Sequence, residues 1–374
     1  MPKLKTAIIG CGRISANHIK ALVDHKESAQ LVSVCDLIKA KAESKAQEYE
    51  AIAKEQGIQV EKPIIYAHYK KMLEKEEIDT CSICTESGYH ADISLYCMNK
   101  KKHILVEKPM AMSLQVAEIM IKTAQKNNLR LGVCFQNRFN LTIQKLRQAV
   151  IEHRFGTIFS ITARILWNRN YNYYQQASWR GTWALDGGCL MNQCIHNIDL
   201  LQWMALGDIQ SVYGQIRNFL HPYNETEDHA SIIVNFKDGS IGNIEGTVNV
   251  YPKNLEETLT VLGEKGTVVI GGLALNKILV WDFKDQKDSL KEIQQNCNEE
   301  ILNVYSKGHS PLYKDFIASV NNGTAPLVDG YEGKKSLEII LMAYQSQKEN
   351  KPIIYHKDLK ISTTDFTGML ESIS

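Results

Sequence analysis

The sequence predicts an α/β protein, with an N-terminal doubly wound parallel sheet and a C-terminal α+β domain built on an open, mostly antiparallel sheet. Three features lead there. At 374 residues the chain exceeds the length over which one hydrophobic core usually keeps growing, so two domains are expected. From residue 4 to about residue 135, short apolar runs (KTAIIG, LVSVCD, PIIYA, TCSICT, HILVEK, RLGVCF) alternate with amphipathic stretches, the pattern of buried parallel strands joined by helices. After about residue 155 the runs follow one another with few helices between them, as in an antiparallel sheet.

In the first part, Asn17 to Asp24, Lys39 to Lys54, His90 to Asn99 and Leu114 to Asn127 carry helical spacing. In the second, the strands are TIFSITARILW, IQSVYGQIRNF, ASIIVNF, IGNIEGTVNV, TLTVLG, TVVIGG and KILVWDF. Lys237-Asp238-Gly239-Ser240 and Glu264-Lys265-Gly266 supply residues that tolerate positive φ at tight hairpins. One helix interrupts, from Leu190 to Met204, and two more close the chain, Pro311 to Asn321 and Tyr331 to Lys348. The expected division is residues 1–135 and 136–374, with the helices of 311–348 packing back on the first domain. Residues 284–305 are polar and read as a loop or short surface helix.

With 43 basic against 42 acidic side chains, the chain has no net field to gather nucleic acid or an anionic membrane. The N-terminus, MPKLKTAIIGCG, enters a strand at once, and no apolar run reaches membrane-spanning length, so the expectation is a cytoplasmic protein. Most of the nine cysteines sit in apolar strand-like runs, where a reduced thiol behaves as a small hydrophobe. Cys81 and Cys84 form a lone CxxC without the second pair that zinc prefers, so no metal is expected.

Gly10-Cys11-Gly12-Arg13-Ile14-Ser15 follows the first strand directly and opens a helix. Gly10 permits the sharp turn, and Gly12 lets backbone N–H groups approach a pyrophosphate at the positive end of that helix. Ser15, in the third glycine position, is small enough for helix and strand to pack closely. Asp36 ends the second strand, where a carboxylate accepts hydrogen bonds from adenosine ribose hydroxyls. It would repel a 2′-phosphate, and neither Leu37 nor Ile38 is basic, so the dinucleotide expected is NAD rather than NADP.

Glu107-Lys108-Pro109 ends the fifth strand, on the edge where open α/β sheets bind ligands. Burial or a cationic neighbour would let Lys108 exchange a proton, although spacing alone also suits a solvated lysine at a strand end. Within Asp186-Gly187-Gly188-Cys189-Leu190-Met191-Asn192-Gln193-Cys194-Ile195-His196, Asn192 and His196 stand four apart and share a helical face. Such a pair suits a sugar hydroxyl, while a lone helical histidine is also a common structural residue.

The fingerprint, VEKPMAMSL and the GGxxMNQxIHxIDLL helix together resemble the glucose-fructose oxidoreductase/inositol dehydrogenase (Gfo/Idh/MocA) superfamily over essentially the whole chain. The resemblance implies a Rossmann domain followed by an open sheet, with Lys108 and His196 facing a nicotinamide. TESGYHA (85–91), QNRFN (136–140), RFG (154–156) and SWRGTWALDGG (178–188) are similar to one branch, the UDP-N-acetyl-2-amino-2-deoxyglucuronate 3-dehydrogenases of bacterial surface-polysaccharide synthesis. In that branch a UDP-linked N-acetylglucosaminuronic acid is oxidised at C3 to the 3-keto sugar. The cofactor contacts then expected are Gly10, Gly12, Arg13, Ile14, Asp36, Thr85, Glu86, His90, Glu107, Lys108 and Gln136.

Two departures stand out. Asn192 replaces the aspartate that many relatives carry four residues before the histidine, and Tyr49 to Val60 is longer, lengthening a surface loop or helix. A UDP-uronic acid brings a diphosphate and a carboxylate, so cations are required; Arg138, Arg164, Arg169 and Arg180 are the candidates, interleaved with Tyr173, Tyr174 and Trp179 for a ring face. The expected catalytic set is Lys108, His196 and Asn192, with either Lys108 or His196 as the base. A dehydrogenase or ketoreductase of another sugar or cyclic polyol, and a non-catalytic NAD-binding regulatory protein, remain as alternatives. A homo-oligomer, dimer or tetramer, is expected.

Overall fold

The structure, a computed structural model, describes residues 2–300 and 307–370. Buried strands come first, in strict alternation with helices: β1 (Leu4–Ile9), α1 (Ser15–Asp24), β2 (Ala29–Cys35), α2 (Lys39–Glu55), β3 (Ile64–Tyr66), α3 (Tyr69–Lys75), β4 (Thr80–Ile83), α4 (His90–Asn99), β5 (His103–Val106), α5 (Leu114–Lys126) and β6 (Leu131–Val133). All pairings are parallel, in the order β3-β2-β1-β4-β5-β6. β4 and β6 are buried at every position, because helices cover both faces of such a sheet. Strand order reverses between β1 and β4, which makes their carboxyl ends a ligand-binding crevice.

The rest of the chain runs α6 (Leu141–Ile151), β7 (Ile158–Leu166), α7 (Tyr171–Tyr174), a π-helical turn (Leu190–Cys194) leading into α8 (Ile195–Met204), β8 (Ile209–Arg217), β9 (His229–Phe236), β10 (Ile241–Thr247), β11 (Glu256–Gly263), β12 (Gly266–Gly271), β13 (Lys277–Phe283), α9 (Leu290–Cys297), α10 (His309–Asn322), α11 (Gly330–Glu349) and β14 (Ile353–Ile354). Eight strands form one sheet in the order β13-β12-β11-β7-β10-β9-β8-β14, antiparallel except for β7 with β10. Burial alternates along β9, so one face is covered and the other open. α8 packs on the covered face: a Cβ at Gly242 would meet Leu201, and one at Gly246 would meet the Cys194 sulfur.

The chain divides into two units: Met1–Ala111, Val116–Phe135 and His309–Lys334 make the first, and Met112–Gln115, Gln136–Gly308 and Lys335–Ser374 the second. α10 therefore belongs with the parallel sheet. α11 departs from the expectation that it packs on the first domain, since only its first turn falls in that unit. The remainder seats on β8, where Gly214 leaves room for Ala343 and donates its N–H to Ser346 Oγ at 3.1 Å. The long Tyr49 to Val60 stretch extends α2, with Tyr49 buried beneath it. Residues 290–297 of the polar segment form α9, capped by a reciprocal Ser289–Glu292 box, while residues 301–305 lie outside the described residues. Gly239 has the positive φ expected of its hairpin; Gly266 instead makes room for the Phe283 ring. Among the described residues no helix is long and apolar enough to cross a membrane.

Two of the carboxyls buried in the second unit, Glu227 and Glu257, have no cationic hydrogen-bond partner among the described residues. Burial pushes Glu227 and Glu257 each from the usual 4.5 up to about 8. Each therefore holds its proton in the folded chain after the unfolded chain has lost it. Their stabilising contribution is complete below about pH 4.5 and is lost as pH rises toward about 8. The melting temperature is expected to fall between about pH 5 and about pH 8, and Glu227→Gln to flatten that fall in thermal unfolding; an equally steep fall in the variant would contradict it.

Candidate functional site

In the first unit the site begins where β1 stops. Gly10 has φ +94°, and a Cβ there would lie 2.5 Å from the Cys84 carbonyl carbon, so only glycine lets the turn lie against the end of β4. Asp36 fixes the same loop: one carboxylate oxygen accepts from the Cys11 N–H at 2.8 Å and the other from the Ile38 N–H at 2.8 Å. Ser15 is fully buried and donates to the Gly12 carbonyl at 2.7 Å, closing the first turn of α1. A Cβ at Gly12 would meet nothing within 4 Å. A glycine turn with an open side, a helix N-terminus and a carboxylate with spare lone pairs fit a dinucleotide. Beside Asp36, Leu37 and Ile38 are exposed and uncharged. Arg13 is exposed, and Ile14, Thr85 and Glu86 are half-buried around the loop.

Two expected cofactor contacts prove to be internal. His90 is buried with Nδ1 2.8 Å from the Pro109 carbonyl and Nε2 3.0 Å from that of Thr85, so its ring straps two backbone segments together. Burial lowers its pKa. Glu107 is also buried and faces inward, 2.9 Å from His18 Nε2, while its second oxygen accepts the Lys108 N–H at 3.2 Å. Burial alone would raise its pKa, but the bond from His18 holds it well below the usual carboxylate range. Lys108 itself is half-buried, directly beyond the end of β5.

In the second unit the polar groups gather on the turn that opens α8. From Asp186 to Gln202, Asn192 and His196 are the two residues that are not buried. The helix is π-wound at Asn192, a distortion frequent at functional sites, and still carries His196 on the open side. Asn192 Nδ2 donates to Asp186, whose other oxygen accepts the Gly181 N–H at 2.7 Å. Gln136 is buried with Nε2 3.4 Å from His196 Nε2, which brings it to the histidine. Gln193 accepts from Arg169 Nε at 3.0 Å and donates to the Tyr173 hydroxyl at 2.8 Å. Arg180 in turn reaches that hydroxyl, its guanidinium 4.2 Å from the Tyr173 ring centre and 4.7 Å from that of Trp179. Gln193, Arg169, Tyr173, Arg180 and Trp179 thus form one connected group, starting from the residue next to Asn192 in the chain.

Three expected substrate residues lie elsewhere. Arg138 is fully buried in a two-pronged pair with Asp199, both bonds 2.7 Å, and stacks on Trp203; its charge is spent inside the fold. Arg164 lies on the open face of the sheet, opposite α8, and is matched by Glu245 at 3.0 Å and Glu256 at 2.9 Å. Tyr174 is buried against Tyr173, His221 and Tyr223, a packing residue and not a ring platform.

Sequence reasoning gave no role to Asp186 or Gln193. Asp186 reaches Asn192 only because Gly187 and Gly188 take φ of +78° and +98° and fold the chain back. A Cβ on Gly188 would sit 2.0 Å from Glu227 Oε2. The paired glycines beside a carboxylate were the available signal. Gln193 follows Asn192 directly, and only the π turn directs it to Arg169.

Comparison with known proteins follows the same division. Residues 4–135 match the family described as oxidoreductase family, NAD-binding Rossmann fold, and residues 143–269 match the GFO/IDH/MocA C-terminal domain. The chain is similar to the WlbA dehydrogenase from Bordetella pertussis, solved in complex with NADH and UDP-GlcNAcA: 33% identity, TM-score 0.83, covering 96% of this chain and 99% of that one. The WlbA dehydrogenase from Chromobacterium violaceum, in complex with the same two ligands, is 34% identical with TM-score 0.82, covering 96% and 97%. The scyllo-inositol 2-dehydrogenase (NAD(+)) of Bacillus subtilis is 24% identical over 98% of this chain and 99% of its own length.

Removing one partner of a buried ion pair leaves the other charge uncompensated. Arg138→Met is expected to lower stability by about 3–5 kcal/mol in denaturant unfolding, through exposure of Asp199 to an apolar neighbour. A loss under about 1 kcal/mol would return Arg138 to the substrate candidates.

Proposed function

The chain belongs to the Gfo/Idh/MocA oxidoreductases, NAD-dependent dehydrogenases of sugars and polyols, and from that premise we propose that it oxidises C3 of a UDP-linked N-acetylglucosaminuronic acid to the 3-keto sugar in bacterial surface-polysaccharide synthesis. The observation that carries the reading is that, from Asp186 to Gln202, Asn192 and His196 are the two residues left half-buried while the rest are buried. Burying fourteen or more neighbours while leaving one amide and one imidazole open provides a site for hydroxyl recognition and proton exchange.

Gly10, Gly12 and the N-terminus of α1 would hold the pyrophosphate, with Asp36 on the adenosine ribose. Bound NAD supplies the hydride acceptor for the C3 hydrogen. The C3 hydroxyl proton passes to Lys108 or to His196. Asn192 holds the sugar through its amide, and Asp186 keeps that amide turned by taking one of its N–H groups. With Asn192 in place of the aspartate that many relatives carry, no Asp–His relay forms at that position, and the Gln136 amide lies beside the imidazole. Arg169 and Arg180 supply positive charge for diphosphate or carboxylate, with Trp179 as an adjoining ring face. Exposed Ile233 and Ile241 on the open sheet face suit a homo-oligomer, dimer or tetramer, and a nucleotide-sugar substrate suits a cytoplasmic enzyme.

A second reading, oxidation of a cyclic polyol, is favoured by the likeness to scyllo-inositol 2-dehydrogenase along nearly the whole chain. Incubation with NAD and either UDP-N-acetylglucosaminuronic acid or free inositols separates the two. Mass spectrometry is expected to show loss of two hydrogens from the UDP-sugar alone, and turnover of inositol alone would refute the proposal. Lys108→Ala and His196→Asn are each expected to depress turnover by at least about a hundredfold with NADH binding kept.

A further inference from the structure

Behind Lys108, inside the first unit, lies a set of polar side chains that hydride transfer itself does not use. His18 comes from the middle of α1, Ser82 from β4, Glu107 from the end of β5, and His309 and Tyr313 from α10. All are buried. Ser82 Oγ lies 2.6 Å from the Tyr313 hydroxyl, which lies 2.9 Å from His18 Nδ1; His18 Nε2 lies 2.9 Å from Glu107 Oε1, and Glu107 Oε2 accepts the Lys108 amide at 3.2 Å.

An ionised Glu107 gives these bonds a direction. Glu107 accepts the Lys108 N–H and faces His18 Nε2, and burial, which alone would raise its pKa, is outweighed by the bond from His18, so its carboxyl is ionised and acts as an acceptor. In the neutral imidazole with Nε2–H on Glu107, Nδ1 is the acceptor, the Tyr313 O–H donates to it, and Ser82 donates to the Tyr313 oxygen. A metal ion would need the same donors, since ligand atoms of His18, Glu107 and His309 lie within 4.8 Å of one another. The 2.9 Å contact between His18 and Glu107 is an ordinary hydrogen-bond length. His309 Nε2 stands 3.7 Å from Glu107 Oε1, too far for such a bond, and its ring packs edge-on against His18 at 5.4 Å.

We propose that His18 and Tyr313 are positioning residues for Lys108: with Ser82 they form a one-way hydrogen-bond chain that holds Glu107 as an ionised clamp on the Lys108 amide. The chain ties α1, which opens from the dinucleotide turn, to the loop that carries the lysine. Helix α10, from the far end of the sequence, supplies the link that makes His18 present its proton to Glu107 and not to Tyr313. The inference rests on the reading of Lys108 as a proton-handling group.

Tyr313→Phe preserves shape and removes the O–H. It is expected to speed amide hydrogen exchange at Lys108 at least about fivefold and to lower kcat on UDP-N-acetylglucosaminuronic acid and NAD about tenfold, with KM and NADH affinity within about twofold. His18→Gln, which keeps a donor toward Glu107, is expected to stay within about threefold of the parent kcat, while His18→Leu falls with Tyr313→Phe. Unchanged exchange at Lys108 in Tyr313→Phe would overturn the proposal, as would equal activity of His18→Gln and His18→Leu, or stoichiometric zinc in the purified protein. Should Lys108→Ala turn over normally, the functional reading fails instead, and the exchange measurement still reports on the clamp.

Discussion

Everything in the first unit depends on how closely two strand ends approach. Gly10 has no side chain, so the turn after β1 rests directly on the backbone of Cys84 and Thr85 at the end of β4. This is the point where strand order reverses, and the crevice exists because no Cβ fills it. Asp36 then pins the loop from the β2 side through the Cys11 amide. The carboxylate that suits a ribose is thus also part of the scaffold that shapes the turn. Glu107 repeats that economy one strand further on, since a buried carboxylate holds the backbone of the lysine that would exchange the proton.

The second unit solves a different problem, which is to leave a few polar groups open on a helix that is otherwise core. Two glycines of positive φ reverse the chain before the helix and deliver Asp186 to Asn192. A π turn then carries Asn192 and His196 to the open side together. The arginines sort by what neutralises them. Arg138 is buried with Asp199 and Arg164 is matched by two glutamates on the open sheet face, whereas Arg169 and Arg180 bond neutral Gln193 and Tyr173. That contrast, between charge answered by carboxylate and charge answered by amide or phenol, separates scaffold from site better than clustering in sequence does.

The fold was legible because its signals are local. Apolar runs with helical spacing between them place the parallel sheet, and the glycine turn with Asp36 can be read from residues close in the chain. The features that escaped are those set by tertiary contact. His18 carries no mark in sequence that Tyr313, almost three hundred residues away, will orient its ring. Likewise nothing beside Arg138 announces Asp199, so a buried pair looks like a free cation. His90 and Glu107 sit within recognisable motifs, yet side-chain direction decides whether a residue meets a ligand or straps the backbone, and a motif does not encode that direction. The polar segment that forms α9 was left open between loop and helix, because its capping box lacks a long apolar face behind it.

Transfer of hydrogen from the sugar ring to NAD is the central chemical claim. UDP-N-acetylglucosaminuronic acid carrying deuterium at C3, incubated with the protein and NAD, tests it most directly. The predicted result is deuterium on C4 of the nicotinamide in the NADH formed, with a slowed rate for the labelled sugar. Deuterium retained in the sugar or released to water would contradict it.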